Sequence, residues 1–311
     1  MKRLQNKIAE SGLTLPITAI YAICVWAIAI FGGSPSFFSW PQMACYVAAS
    51  YMMVELNNSN ALLRVRSRMV ATMFIFLSCM YISGFQSLLG SISLIGFIMT
   101  IILLFNTYQD NLATGKTFYA FLFLSLCSLI YLEYLYYIPL FWVLMASRLQ
   151  SFGWRTLAAS IIGLITPYWF ASLWLILRWD FTPMTDHLSE FGHFIFPIDY
   201  SSLSVEQLTI YIFLVIISGV GIIHFWQYSY EDKIRIRQLF GFFTAVNIAT
   251  LLFIALQPHL YDHMIRPAIV CASPIVAHFF TMTSHRFTNI AFIVFLVTCT
   301  LITITNLWMH F

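Results

Sequence analysis

Charge in this chain is confined to short breaks between long apolar runs. That confinement limits its possible folds more than any motif does. An apolar run of about twenty residues matches the helix that crosses a bilayer core. Of 311 residues, 60% are hydrophobic and only 9% are charged, where a soluble domain carries roughly a quarter. There is too little polar surface here to wrap the apolar surface in water, so the solvent is lipid. The 30 Phe, 16 Tyr and 9 Trp suit the aromatic belts of a polytopic membrane protein. Backbone groups in lipid must bond within their own segment, which predicts an all-α helical bundle.

Runs near 13–32, 37–56, 69–86, 90–106, 156–177, 208–228, 238–256, 267–284 and 288–309 read as spans. Cytoplasmic loops collect Lys and Arg, so Lys2, Arg3 and Lys7 put the N-terminus inside, and Arg64, Arg66 and Arg68 bring the chain back inside. The run between Lys116 and Arg148 would be about 45 Å long as one helix, against a core of about 30 Å. One crossing there would also turn every later basic loop outward. A short helical hairpin near 118–147, with Glu133 close to its tip and Pro139 just after it, removes the conflict. Of the fifteen Lys and Arg, all but Arg178 and Arg266 then lie inside. The expectation is a single integral domain over 1–311 with about eleven membrane segments. Its N-terminus would be cytoplasmic and its C-terminus outside, in a bacterial inner membrane.

The N-terminus "MKRLQNKIAESG" is basic and polar and leads into a long apolar run. It does not read as a cleavable leader, so the first span is expected to be retained. Cys24, Cys45, Cys79, Cys127, Cys271 and Cys299 all fall in apolar stretches without a CxxC pair. They read as small buried side chains, implying neither a disulfide framework nor a metal site. A net charge of +3 is too small to argue for nucleic acid. No cofactor is implied.

Polar side chains gather in "QPHLYDHMIRPAI", where His259, Asp262, His263 and Arg266 stand at helical spacing and would share one face. Pro267 is expected to start the following span. Loop 178–207 adds Arg178, Asp180, Asp186, His187, Glu190, His193, Asp199 and Glu206. An Asp beside a His makes a general base, which gives Asp262, Glu133 and His263 as catalytic candidates. An outward Arg with His grips a phosphate, which gives Arg266, Arg178 and His259 as substrate-holding candidates. Two His four residues apart also suit a metal, but the glutamate of HExxH is missing. The same residues equally suit a loop that meets water and headgroups. Glu133 is the sharper signal, because a carboxylate within a membrane segment is expensive. Glu55 reads as an ion-pair partner for the Arg64–Arg68 cluster, His224 and His278 as packing residues, and "NNSN" as a cap or turn.

The stretch "TFYAFLFLSLCSLIYLEYLYYIPLFWVLMASRLQSFGWRTLAASIIGLITPYWF" resembles the hydrophobic module of polytopic glycosyltransferases of the GT-C type. There, two short helices precede a basic turn and a long span. Through "SFGWRTLAASIIGLITPYWF" and "RPAIVCASPIVAHFF", the whole chain resembles an uncharacterised family of roughly 300-residue multi-pass inner-membrane proteins of Bacteroidetes-type bacteria. The glycosyltransferase resemblance implies a catalytic acid in the first outer loop. That loop, "GGSPSFFSWPQ", has neither Asp nor Glu.

The expected function is cell-envelope biogenesis, with a lipid-phosphate-linked glycan or lipid substrate in an outward-facing cavity. An enzyme of this kind would be a glycosyltransferase-like transferase, and its partners are membrane lipids and the lipid-linked substrate. Transport is the rival class: Pro167 and Pro274 are where helices of a transporter would break, although no paired repeat accompanies them. A non-catalytic scaffold of an envelope complex is the third.

Overall fold

Among the residues that the computed structural model describes, every regular element is helical. It describes residues 3–31, 39–179, 182–189, 191–192, 198 and 200–309. In chain order the α-helices are α1 (Leu4–Glu10), α2 (Thr14–Phe31), α3 (Ser39–Asn60), α4 (Met69–Met80), α5 (Leu88–Phe105), α6 (Thr114–Ile130) and α7 (Tyr137–Leu144). They continue as α8 (Trp154–Arg178), α9 (Thr182–Ser189), α10 (Val205–Tyr228), α11 (Ile234–Leu256), α12 (Tyr261–Met282) and α13 (Arg286–Met309).

Among the described residues, six helices are long and apolar enough to cross a membrane: Leu88–Phe105, Trp154–Leu177, Val205–Glu231, Ile234–Leu256, Pro258–Met282 and Arg286–Met309. This corrects the expectation of about eleven segments. Several apolar runs do not become full-length apolar helices. The run near 69–86 forms only the 12 residues of α4, about 18 Å long, before a 3-10 turn over Ile82–Gln86. Helix α6 stops at Ile130, and the 3-10 segment Leu132–Tyr136 separates it from the 8-residue α7. Helix α3 is long enough, but it carries "NNSN" to its end at Asn60, and Ala61 turns the chain with a positive φ of 47°.

The chain divides into two compact units, one of Met1–Ser91 with Tyr200–Phe311 and one of Ile92–Asp199. In the first, α12 is the axis. Its span is buried along its whole length, where that of α13 is 39% buried. Small residues let neighbours close on it: Ala268, Ala272, Ser273 and Ala277 are fully buried. On α10, a Cβ at Gly221 would come within 2.7 Å of the Ile275 side chain. Helices α4, α10 and α11 all pack on α12, and the Asn247 amide donates to Ala268 O at 3.2 Å. Such close backbone approach and polar cross-ties hold helices together where lipid removes the hydrophobic drive. Pro267 lies inside α12 rather than at its start.

The second unit pairs α6 with α8. Gly163 sits against Phe118 O, where a Cβ would come within 2.5 Å. Ser125 Oγ donates to Leu164 O at 2.7 Å, and Ser128 and Tyr168 hydroxyls meet at 2.9 Å. Beyond α7 the π-helical turn Met145–Leu149 ends where Gln109 N donates to Leu149 O at 2.8 Å. Four of the cysteines are buried; Cys24 is exposed on α2 and Cys45 is partly so.

Candidate functional site

Two polar clusters terminate the first unit at opposite ends of α12. The first is the histidine-rich stretch. His259 falls on a 3-10 turn, Pro258–Leu260, so only Asp262, His263 and Arg266 belong to the α-helix. Asp262 is exposed, His263 half-buried and Arg266 buried, so the four residues do not form one outward face. The Arg266 guanidinium donates to Asp262 O at 2.7 Å and to Gly84 O at 3.3 Å. It lies 5.3 Å from the Tyr81 ring centre and directly over Gly90, where no Cβ would fit. Asp262 accepts from the Tyr81 hydroxyl at 2.6 Å and from Gln207 at 3.1 Å. Burial pushes the Tyr81 phenol well above its ordinary value, and the nearby Arg266 charge offsets only part of that. Carbonyls, an aromatic face and a neutral phenol make this a packed cap that ties turn 81–86 to α12.

The remaining expected site residues lie in the second unit. Glu133 is buried on the 3-10 segment Leu132–Tyr136. Its neighbour Tyr134 is fully buried, with its ring 5.8 Å from Phe97. Arg178 is the last residue of α8, ahead of Trp179 in the left-handed region, and its side chain lies outside the described residues. Asp180, Glu190, His193 and Asp199 also lie outside them. Within the loop, His187 Nε2 meets Ser128 O at 3.0 Å.

The opposite end of α12 carries a cluster that sequence reasoning missed. Asp232, with its side chain 1% exposed, is bonded through one oxygen to Arg64 Nε at 2.6 Å and through the other to His278 Nε2 at 3.1 Å. Arg64 Nη1 reaches Glu231 at 2.9 Å. Glu55 is exposed, and Arg64 has taken the acids of turn 229–232 instead. His278 is equally buried and hydrogen-bonds the Asp232 carboxylate, so it is more than a packing residue. Burial would raise the Asp232 pKa, but hydrogen bonds from His278 and Arg64, with their charges, hold the carboxyl below its ordinary value. One signal in the sequence pointed here: "YEDKIRIR" sets two acids in a basic loop assigned to the same side as "LLRVRSR".

Hydrogen bonds knit this end together. Gln5 and Asn6 of α1 reach Thr283 O, Ser67 Oγ reaches Ala9 O, Asn57 reaches Ser67 O, and Arg235 reaches Asn60. The loop between α3 and α4 is therefore fixed, and it sends one arginine to each of two cavities. Arg64 lines a polar one of about 480 Å³. Arg68 lines an apolar one of about 410 Å³. Among the described residues, no group of three or more His, Cys, Asp or Glu could hold a metal ion.

Comparison of the chain with protein-family models, with curated proteins and with solved structures finds no match. The resemblances read from the sequence therefore extend only to a polytopic, all-helical architecture with several long apolar helices.

Proposed function

We propose that this multi-pass protein handles a lipid-phosphate-linked substrate in cell-envelope biogenesis, in a bacterial inner membrane. The observation that carries this is the apolar cavity among α2, α3 and α4. Its walls include Ala19, Ala22, Trp26, Val47 and Phe74, and Arg68 is the charged residue on it. A hydrocarbon chain matches such walls, and a guanidinium at one end matches the phosphate that terminates the chain.

The basic end supports the orientation. Lys7, Arg64, Arg66, Arg68, Lys233, Arg235, Arg237 and Arg286 belong to the elements joined there, and such residues mark the cytoplasmic side. The N-terminus is then inside, and α13 leads outward. Bound lipid would thus have its phosphate near the cytoplasmic leaflet. On this reading Asp262 and Arg266 stabilise the far end rather than perform chemistry, because the Arg266 guanidinium is already committed to Gly84 and Asp262 carbonyls.

Native mass spectrometry of the protein released from nanodiscs tests the proposal. The wild-type chain is expected to retain a phosphate-bearing lipid. Ala22→Trp, which fills the cavity, should lose it, and Arg68→Gln should lose the preference for anionic over zwitterionic lipid. Equal retention by wild type and both variants would overturn the proposal, as would an unchanged envelope lipid and glycan profile in a deletion strain.

A further inference from the structure

We propose that the polar cavity at the basic end is a second site, one that binds a phosphate ester. It is separate from the lipid cavity and rests on different residues. Its key feature is how Arg64 is held. The Nε edge is fixed by Asp232, whose side chain is only 1% exposed and is itself anchored by buried His278. Yet the Arg64 side chain remains 34% exposed and lines the cavity, and its Nη2 donates to no group among the described residues. A guanidinium gripped from behind by a buried carboxylate is pre-set for two-pronged recognition of a phosphate.

The other wall is built to complete such a contact. Ser284 and His285 line it from the α12–α13 turn, and Thr288 from the first turn of α13. Thr288 orders this wall: its hydroxyl accepts from His285 N at 3.1 Å and from Gln5 at 3.2 Å and donates to His285 O at 2.9 Å, which leaves Ser284 and His285 as the groups of this wall that meet a ligand. The α12–α13 turn opens the 24-residue α13, whose first amides and dipole add positive potential. His224 contributes an imidazole, and Ile223 and Phe279 supply an apolar floor for the body of the ester.

Two acids at Arg64 oppose an anion: Asp232, which holds the Nε edge from behind, and Glu231, which an incoming phosphate would displace. Glu231 is paired with Arg64 at the surface, with side chains 34% and 44% exposed, and such pairs are weak enough to yield to a better acceptor. The wider field favours the exchange. Lys and Arg residues at this end outnumber Glu10, Glu55, Glu231 and Asp232, so the local potential attracts anions. The phosphate could belong to a soluble ester or to a lipid headgroup at the membrane surface; the chemistry recognised is the same.

The test uses the full chain in nanodiscs of zwitterionic lipid, with unfolding temperature as the readout. The soluble arm adds pyrophosphate or glycerol 3-phosphate, with sodium chloride at matched ionic strength as control. The lipid arm replaces part of the bilayer with phosphatidic acid. A ligand that binds only the folded state raises the unfolding temperature in a saturable way. That rise is expected in at least one arm, and the arm that gives it identifies the source of the phosphate. Arg64→Gln should abolish it. His285→Ala with Thr288→Val, which leaves the Asp232 pairs untouched, should reduce it severalfold and keeps the test alive if the Arg64 variant does not fold. Arg237→Gln, a cation of the same end not on the cavity, should leave it intact. No rise above the salt control in either arm, or an undiminished rise in the His285/Thr288 variant, would overturn the proposal. Because phosphatidic acid also suits the Arg68 cavity, the lipid arm is run in the Arg68→Gln background, so that the lipid site stands or falls separately.

Discussion

Both ends of α12 hold an arginine, but they use it in opposite ways. At the histidine-rich end, Arg266 is 3% exposed and its guanidinium rests on carbonyls and a tyrosine ring. At the basic end, Arg64 meets two carboxylates and keeps a third of its surface open to a cavity. Polar residues stand closer together in the sequence at the first end, yet the better-prepared binding group is at the second. A cation becomes a binding site when something buried holds it while one edge stays accessible. A cation that has been swallowed is structural.

The largest effect expected from breaking this contrast is at Asp232. Replacing it with Ala leaves a buried imidazole and a guanidinium without their shared acceptor. Breaking a buried ion pair from one side costs about 3–5 kcal/mol. Unfolding of the Asp232→Ala chain in nanodiscs should show a loss of that order. A loss under ~1 kcal/mol would mean the cluster does not hold the basic end together.

Acid should weaken the same end by a smaller, graded amount. Because the folded Asp232 carboxyl sits below its ordinary value, it binds its proton less readily folded than unfolded. Its contribution is complete above the unfolded carboxylate pKa and is lost as pH falls through the folded value. Stability should therefore decline below about pH 4 in the wild type, and Asp232→Asn should remove that part of the decline. A decline of identical size in the variant would assign it to other carboxylates.

Gly90→Ala sharpens the comparison from the other side. The added methyl would meet the Arg266 guanidinium itself, and overpacking of this kind costs about 1–3 kcal/mol. Stability should fall by that amount, while pyrophosphate or anionic-lipid stabilisation at the basic end stays as in the wild type. Loss of both would join the two ends functionally and break the contrast.

What the sequence revealed follows from which forces act along the chain and which act between distant parts of it. Hydrophobicity is local, so helicity and a membrane setting were readable from the runs themselves. Segment number was not, because Tyr81 lies within an apolar run without a Pro or Gly signal strong enough to predict the 3-10 break that follows it, whereas the break at Leu132–Tyr136 falls where the flanking basic residues called for one. Pairings were hidden for the same reason. Arg64 and Asp232 are 168 residues apart, and Glu55 was the nearer acid in sequence. The outer cluster misled in the reverse direction: helical spacing put His259, Asp262, His263 and Arg266 on one face, but the chain begins that face with a 3-10 turn and points Arg266 inward.

The smallest expected effect lies at Tyr81. Its hydroxyl donates to Asp262 at 2.6 Å, and its ring stands beside Arg266. Tyr81→Phe keeps the ring and removes only the hydrogen bond to an exposed carboxylate, which still accepts from Gln207. The cost should therefore be about 0.5–1.5 kcal/mol, several times less than at Asp232, because water can replace the lost donor at Asp262 but cannot reach Asp232. Parallel unfolding of Tyr81→Phe and Asp232→Ala measures that ratio directly. If Tyr81→Phe proved the more damaging, the histidine-rich end would be the tightly coupled one, and the division between a swallowed arginine and a presented one would have to be reversed.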